Sequence, residues 1–350
     1  MPTYNPDFRT VAEVVKPADA QFGWTDGKTS ETAARLLEQQ MREKLENDMP
    51  VACKGFSTFT PIPTIWDQWL SFQKSKGRAE GGWDWSLMDE FVLQRPLLWL
   101  PQIIGSCVIS NTFRGWTIRL MSQISLLGEP FEFLGREEFS PKNFAFYAPW
   151  SYGAARKRAN MRGGDGLYCE PMQESLLKDG VISCSTPKLL EICQRLGVAK
   201  ERDFPEPQDA RVYRAFGDWQ YLDELRPYAD YTLEECPSVN TTEQLWVRMQ
   251  ECKPAFVCSM IAIRKIGDHR DGFPLHGRDP NDQWAHNMCF HGAFITSDNR
   301  RIFRLSNESW GPQHIYNVYY EEVDTWFRRH NLTVAAIGQI RGPKSVPPMA

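Results

Sequence analysis

The residue best placed to do chemistry is a cysteine at the start of a predicted helix. Ser106 is a suitable N-cap residue, so Cys107 falls in the first helical turn. The apolar residues whose spacing predicts this helix are Ile109, Phe113, Trp116, Leu120 and Ile124. Unpaired N–H groups and the helix dipole favour a thiolate there, and the thiolate is the nucleophilic form. Cys107 is therefore a candidate nucleophile; the alternative is a buried apolar cysteine.

A thiolate nucleophile needs a base, and the base needs a group that orients it. His286 begins a predicted strand, 286–294, and can point from the end of that strand into a cleft. The next strand alternates Phe303, Leu305 and Asn307 onto one face. The amide of Asn307 can accept the imidazole N–H, and Trp310 can shield that bond from water. The histidines that we expect at the surface instead are His269, His276, His314 and His330.

These motifs, taken in chain order, resemble the papain-like cysteine peptidases. The resemblance consists of Gly-Ser-Cys at a helix start, a strand-borne His286 with Gly292 six residues later, and Asn-(Glu)-Ser-Trp-Gly from Asn307. The glycine turn 163–166 also resembles the family's substrate-backbone loop, and the likeness spans about residues 97–340. The resemblance implies a divergent member of the papain-like cysteine peptidase family, and a virus or phage is one expected source. It also implies an α+β fold, in which a helical half with Cys107 packs on a β-sheet or barrel half with His286.

The resemblance further implies a role for each site residue. Cys107 would attack a peptide carbonyl carbon, His286 would move the proton, and Asn307 would orient His286. Gln102 would stabilise the oxyanion, although it lies one residue closer to the cysteine than is usual. The expected substrate-binding residues are Gly163, Gly164, Gly166 and Trp310.

One residue leaves the choice of orienting group open. Glu308 is an insertion between Asn307 and Ser309, and alignment on Trp310 would make Glu308 the third catalytic residue. We favour Asn307, because Phe303 and Leu305 then keep the inward face. A β-bulge at Glu308 would absorb the extra residue.

The same patterns divide the chain into four parts. We expect an N-terminal extension at 1–90, a mainly helical half at 91–236, a β-rich half at 237–340 and a tail at 341–350. Within the extension, Ile65–Lys74 is predicted to be a helix with Trp66, Trp69 and Leu70 on one face. The extension should pack on the rest of the chain or on a partner, since it has too few elements to enclose its tryptophans. Residues 205–237, with four prolines, are expected to join domains.

Composition narrows the function further. The chain has 350 residues and a net charge of -4, so it lacks a basic field for nucleic acid, and no apolar run is long enough to span a membrane. The start shows no signal-peptide pattern, so we expect a cytoplasmic or virion location and mostly reduced cysteines. There is no CxxC, P-loop, HExxH or GxSxG motif, so neither a metal nor a cofactor is expected. Four basic residues, Arg156, Lys157, Arg158 and Arg162, are expected to form a solvated face, the alternative being a subsite for acidic substrates.

Three functions follow, in order of preference. The first is a thiol protease that acts on a peptide or protein substrate. The second is a catalytically impaired structural or interaction protein within an assembly such as a virion, which the shifted Gln102 and the inserted Glu308 favour. The third is a cell-wall amidase, against which the Asn-x-Ser-Trp-Gly turn argues.

Overall fold

A computed structural model of the protein describes residues 63–77, 83–93, 102, 104–126, 146–184, 186–199, 209–310, 314–330 and 332–341. The helices are α1 (Pro63–Ser75), α2 (Met88–Leu93), α3 (Cys107–Ser125), α4 (Ala148–Arg158), α5 (Cys169–Lys178), α6 (Pro187–Arg195), α7 (Ala210–Gly217), α8 (Leu222–Leu225), α9 (Thr242–Gln250) and α10 (Tyr320–Arg329). The strands are β1 (Trp83–Asp84), β2 (Thr232–Leu233), β3 (Ala255–Ser259), β4 (Ile263–Asp268), β5 (Pro274–Arg278), β6 (His286–Ile295), β7 (Arg301–Ser306), β8 (Ile315–Tyr319), β9 (Thr333–Ala336) and β10 (Ile340–Arg341). Helices dominate up to residue 250 and strands beyond it, which confirms the α+β class.

The second half of the chain forms one mixed sheet. Its strand order is β4-β5-β8-β7-β6-β3-β9, and β1 also pairs with β6. Every pairing is antiparallel except that of β5 with β8. Strand β6 lies in the interior of the sheet, between β7 and β3, and every residue from His286 to Phe294 is buried. Its first residue, His286, is therefore held in place by the surrounding structure.

Helix α3 packs directly on this sheet, and Gly115 permits the close approach. A Cβ atom at Gly115 would lie 2.6 Å from Ile337 Cδ1 and 3.3 Å from Cys289 Sγ. A larger residue would have to displace the Ile337 side chain and would press on Cys289 of β6.

The region 205–237 is not a joining stretch, so that prediction is wrong for the part from residue 209 onward. Helix α7 packs on α4, where a Cβ atom at Gly153 would lie 2.5 Å from the carbonyl oxygen of Phe216. Val212, Tyr213 and Phe216 are fully buried in α7. The amphipathic pattern of α7 therefore outweighs the prolines and polar residues around it, and the region completes the core of the helical half.

The described part of the N-terminal extension packs on the rest of the chain, as expected. Strand β1 pairs with β6 through Trp83↔Ala293 and Asp84↔Gly292, and the buried Asp84 carboxylate is ion-paired with Arg304. These contacts lie about 20 Å along β6 from His286, at 3.3 Å per residue. Strand β1 thus docks far from His286, while α2 packs on helix α3. The predicted helix 65–74 is part of α1, but only Trp69 of its expected apolar face is fully buried, and Leu70 is 38% exposed.

Most of the cysteines in the described ranges are outside disulfides. Within the described ranges, Cys169 of α5 and Cys258 of β3 form a disulfide. The six that are outside any disulfide are Cys107, Cys184, Cys193, Cys236, Cys252 and Cys289. The Cys169–Cys258 pairing links the helical half to the sheet.

No helix among the described residues is long and apolar enough to cross a membrane.

Candidate active site

Helix α3 begins at Cys107, as the sequence predicts. Ser106 is its N-cap, but the Ser106 side chain makes no capping hydrogen bond. The N–H groups of the first turn are therefore not satisfied by this side chain, which leaves the positive end of the helix dipole at Cys107. The Cys107 side chain is fully buried.

His286 and Asn307 are held together by the sheet. Strands β6 and β7 are antiparallel, with Cys289 opposite Ser306, so the start of β6 lies beside the end of β7. His286 Nε2 lies 2.7 Å from Asn307 Oδ1, and both residues are fully buried. An amide oxygen can only accept, so Nε2 carries the hydrogen. In the neutral ring, Nδ1 is then the nitrogen that can take up a proton.

The surroundings of His286 keep the imidazole neutral. Burial is the main cause and lowers the pKa of His286 to about 4, with a smaller lowering from His314. The hydrogen bond to Asn307 acts in the opposite direction and raises the pKa. A neutral imidazole at pH 7 is in the form that a general base requires.

Trp310 covers the imidazole. Its ring stacks on His286 at a centroid distance of 4.8 Å and an angle of 29°. Trp284 packs edge-on against Trp310, also at 4.8 Å. The indole of Trp310 therefore shields the His286–Asn307 hydrogen bond, in the position that the sequence analysis expects. The expected contact of Trp310 with substrate stays a prediction.

The inserted Glu308 is absorbed differently from the prediction. Residues Glu308–Trp310 form a 3-10 turn directly after Asn307, and no β-bulge lies at this position. Trp310 N donates to Asn307 O, which closes the turn. Because a 3-10 turn takes three residues, it lengthens the connection without moving Asn307 off the end of β7. The side chain of Glu308 lies outside the described residues.

Gln102 reaches the same turn. Its backbone N–H donates to Ser309 O at 3.0 Å, and its side chain is 94% buried. Within the described part of the chain, Gln102 Oε1 has no hydrogen-bond partner. The structure thus brings Gln102 to the segment that follows Asn307.

The glycine turn is supported by an arginine that the sequence analysis placed in solvent. Gly163, Gly164 and Gly166 have φ of 68°, 62° and 102°, a region that glycine occupies readily. Arg156 is 1% exposed, and its guanidinium donates to the carbonyl oxygens of Gly163 and Gly166.

The predicted solvated face is wrong for Arg156, whereas Lys157, Arg158 and Arg162 remain accessible to solvent and make contacts at the surface. Lys157 bonds Asp223, Arg158 bonds Asp179, and Arg162 lies over the ring of Trp219. The sequence signal that could have identified Arg156 is its spacing of four residues from Tyr152 on the buried face of α4. Arg156 NH1 lies 3.4 Å from the Tyr152 hydroxyl.

A cavity of about 250 Å³ adjoins the glycine turn. Its lining residues are Ile104, Tyr152, Gly163, Gly164, Asp165, Tyr213, Arg214, Gly217 and Asp218. Ile104 lies three residues before Cys107, which places one wall of the cavity beside the loop that leads to the candidate nucleophile. The described residues contain no group of three His, Cys, Asp or Glu side chains able to hold a metal ion.

No family model and no curated protein matches the chain. Solved structures that are similar include xylellain, a cysteine protease from Xylella fastidiosa, at 16% identity and a TM-score of 0.44, with 81% of this chain and 91% of that chain covered. Procathepsin B S9 from Trypanosoma congolense is similar at 13% identity and a TM-score of 0.43, with 81% and 84% covered. Bromelain from Ananas comosus in complex with the E64 inhibitor is similar at 9% identity and a TM-score of 0.38, with 75% and 100% covered.

The chain's own geometry has the features that the sequence resemblance implies. Cys107 begins a helix, His286 begins a central strand, and Asn307 follows the neighbouring strand. The chain therefore has a papain-like α+β fold in which the three residues stand in this order.

Proposed function

We propose that the protein is a cysteine endopeptidase that uses Cys107, His286 and Asn307. The observation that carries the proposal is the 2.7 Å hydrogen bond between His286 Nε2 and Asn307 Oδ1, buried under Trp310. This bond selects the tautomer whose Nδ1 can accept a proton. A neutral orienting group suits a base that becomes an imidazolium next to a thiolate, because the thiolate supplies the countercharge.

The reaction would proceed in two halves. His286 Nδ1 takes the Cys107 thiol proton, and the sulfur attacks the peptide carbonyl carbon to form a C–S bond. The Cys107 N–H and the Gln102 side chain donate to the carbonyl oxygen as it gains negative charge. His286 then gives its proton to the leaving amine as the C–N bond breaks. His286 then takes a proton from a water, whose oxygen attacks the thioester carbon. The C–S bond breaks, the carboxylic acid product leaves, and His286 returns its proton to the thiolate.

The glycine turn would hold the substrate main chain. Its left-handed residues, Gly163 and Gly164, present backbone without side chains, so an extended peptide can approach closely. Arg156 fixes the turn from beneath through its carbonyl groups. The adjoining cavity is large enough for one substrate side chain.

One observation favours the second candidate, a structural protein that retains the fold. Cys107, His286 and Asn307 are all fully buried, so a substrate can reach them only after the site opens. The Trp284–Trp310 pair over His286 is the described cover that would have to move. A protein that serves only in an assembly needs no such opening.

Hydrolysis of casein and of a peptide library by the full chain separates the two candidates. We expect cleavage by the wild type and none by Cys107→Ala, with equal thermal midpoints for the two proteins. Cys193→Ala is the matched control, because Cys193 is also buried but lies in the helical half away from the site. Equal cleavage by wild type and Cys107→Ala, or no cleavage by either, would support the structural candidate.

A further inference from the structure

One buried amide connects the segments that carry all three proposed catalytic residues. Asn111 lies on α3, one turn after Cys107, and is fully buried. Its Nδ2 group lies 3.0 Å from Cys107 O, 2.7 Å from Asn287 O and 3.1 Å from Ser309 Oγ. These three atoms belong to the nucleophile itself, to the neighbour of His286, and to the turn that follows Asn307.

The contact to Cys107 O joins Asn111 to its own helix. Asparagine in a helix interior is generally unfavourable, because its side chain competes for backbone hydrogen bonds. In α3, the Asn111 amide donates to the carbonyl oxygen of Cys107, four residues earlier, and also contacts atoms outside the helix. The same Nδ2 group contacts Asn287 O and Ser309 Oγ on the sheet side.

The contacts to Asn287 O and Ser309 Oγ cross from the helical half to the sheet half. Farther along the helix, α3 is held by apolar packing at Gly115 and by Arg119, which donates to Gly338 O and Cys252 O. Apolar contacts tolerate small sliding movements, whereas hydrogen bonds between buried groups are short and directional. Asn111 therefore restricts how far Cys107 can move relative to His286.

Ser309 receives a second bond from the other side. Gln102 N donates to Ser309 O at 3.0 Å, while Asn111 contacts Ser309 Oγ. The proposed oxyanion residue, the Asn307 turn and the nucleophile helix thus share Ser309 as a common point. A displacement of this point would disturb the geometry of all three.

We propose that Asn111 is a positioning residue that sets the Cys107–His286 geometry; this inference rests on the proposed function. Asn111 does not touch the substrate. It acts through Cys107, Asn287 and Ser309, and its loss weakens the coupling of thiol and imidazole. A misplacement of about 1 Å in such a site can lower the rate by about 100-fold.

The test is the rate of Cys107 alkylation by iodoacetamide in the full-length protein, mapped by mass spectrometry, at pH 6 and pH 9. The ratio of the two rates cancels changes in the accessibility of the buried thiol. In the wild type, the Cys107 thiolate supplies the countercharge that burial otherwise denies to a His286 imidazolium. The thiol proton can then pass to His286 and leave the thiolate populated at pH 6, so we expect a ratio within about 10-fold of one. In Asn111→Ala and Asn111→Asp, which both lack the amide donor, the ratio should fall at least 10-fold, toward that of an ordinary thiol with a pKa of about 8.5.

Two further variants separate positioning from general stability. Thr117→Ala removes another buried i to i−4 side-chain bond on α3, to Phe113 O at 2.8 Å, and should leave the ratio unchanged. Ser309→Ala removes one of the three contacts and should lower the ratio less than Asn111→Ala. The double variant should show less than the sum of the two effects, because both changes break the same link.

Each result has one meaning. If the wild-type ratio is within about 10-fold of one and Asn111→Ala has the same ratio, the positioning role is overturned and the proposed function stands. A wild-type Cys107 that already reacts as an ordinary thiol overturns the proposed function, and the positioning role with it. An equal fall in Thr117→Ala shows general destabilisation of α3 and also overturns the positioning role.

Discussion

His286 and Asn307 share a hydrogen bond that is closed to solvent on every side. The two atoms are 2.7 Å apart, the residues are fully buried, and the Trp310 ring stacks on the imidazole. Strand pairing places the two residues together, since they lie at adjoining ends of β6 and β7. The bond therefore depends on the register of the sheet and not on a flexible loop.

Asn307→Ala should weaken hydrolysis without abolishing it. Loss of the acceptor frees the imidazole to adopt the other tautomer, so we expect kcat to fall by about 100-fold, within the usual range for one group in acid–base catalysis. Glu308→Gln should leave kcat within about two-fold of wild type. Steady-state kinetics on one peptide substrate measure both, and a larger loss in Glu308→Gln than in Asn307→Ala would make Glu308 the orienting residue.

Arg156→Lys should affect substrate binding more than the chemical step. Lysine cannot reach the carbonyl oxygens of Gly163 and Gly166 together, because it lacks the forked guanidinium. Loss of charge-assisted bonds worth about 1.5–3 kcal/mol in the turn should raise KM by about 10-fold or more, with kcat nearly unchanged. Lys157→Arg is the control, since Lys157 bonds Asp223 at the surface. A fall in kcat with KM unchanged would contradict a substrate-binding turn.

The N-terminal extension should contribute to the stability of the fold. Asp84 and Arg304 form an ion pair in which both side chains are at least 93% buried, and it ties β1 to the sheet. Asp84→Asn leaves Arg304 as an uncompensated buried charge and should cost about 3–5 kcal/mol of unfolding free energy. The double variant Asp84→Asn/Arg304→Met should recover part of that loss. Urea unfolding measures the difference, and additive losses in the double variant would show that the pair is not coupled.

Stability should fall as the pH is lowered from about 6.5. Burial lowers the pKa of His286 to about 4 and that of His291 to about 3. The Asp84 carboxylate raises the pKa of His291, but burial outweighs it. The unfolded chain therefore binds protons first, near the ordinary histidine pKa of about 6.5. The contribution of the two neutral histidines to the free energy of unfolding is complete above pH 6.5, and it is lost progressively as the pH falls toward 4 and then 3.

Thermal midpoints between pH 7.5 and 4.5 test this pH dependence. His291→Phe should decline less steeply than the wild type across this range, because one buried histidine no longer takes up a proton on unfolding. His330→Phe is the comparison at a half-buried histidine, whose pKa burial also lowers, and it should change the slope less than His291→Phe. Equal slopes for wild type and His291→Phe would contradict the assignment.

The sequence predicted the parts of this molecule whose signals are local. The helix start at Cys107, with Ser106 before it, follows from capping preference and a 3.6-residue period. The strand that begins at His286 and the strand that ends just before Asn307 follow from period-two alternation. Both signals survive in the structure because these elements are buried and their pattern is imposed by the core.

The features that sequence could not predict depend on tertiary contacts. Arg156 stands among three other basic residues, and nothing local shows that its guanidinium turns inward to the glycine turn. The Cys169–Cys258 pairing joins residues 89 positions apart, and spacing alone does not select partners among nine cysteines. Helix α7 was obscured by the prolines around it, although its own pattern is strongly amphipathic. Asn111 looks unremarkable until β6 and the Ser309 turn are placed beside it.

Covalent trapping of Cys107 tests the central claim most directly. The full chain would be treated at pH 6 with a thiol-directed peptide epoxide, and the adduct mapped by mass spectrometry alongside the remaining hydrolysis of casein. We predict one adduct, on Cys107, whose extent matches the loss of hydrolysis, and no adduct in Cys107→Ala or in the His286→Ala variant. An adduct on another cysteine, or hydrolysis that persists when Cys107 is fully modified, would contradict the account.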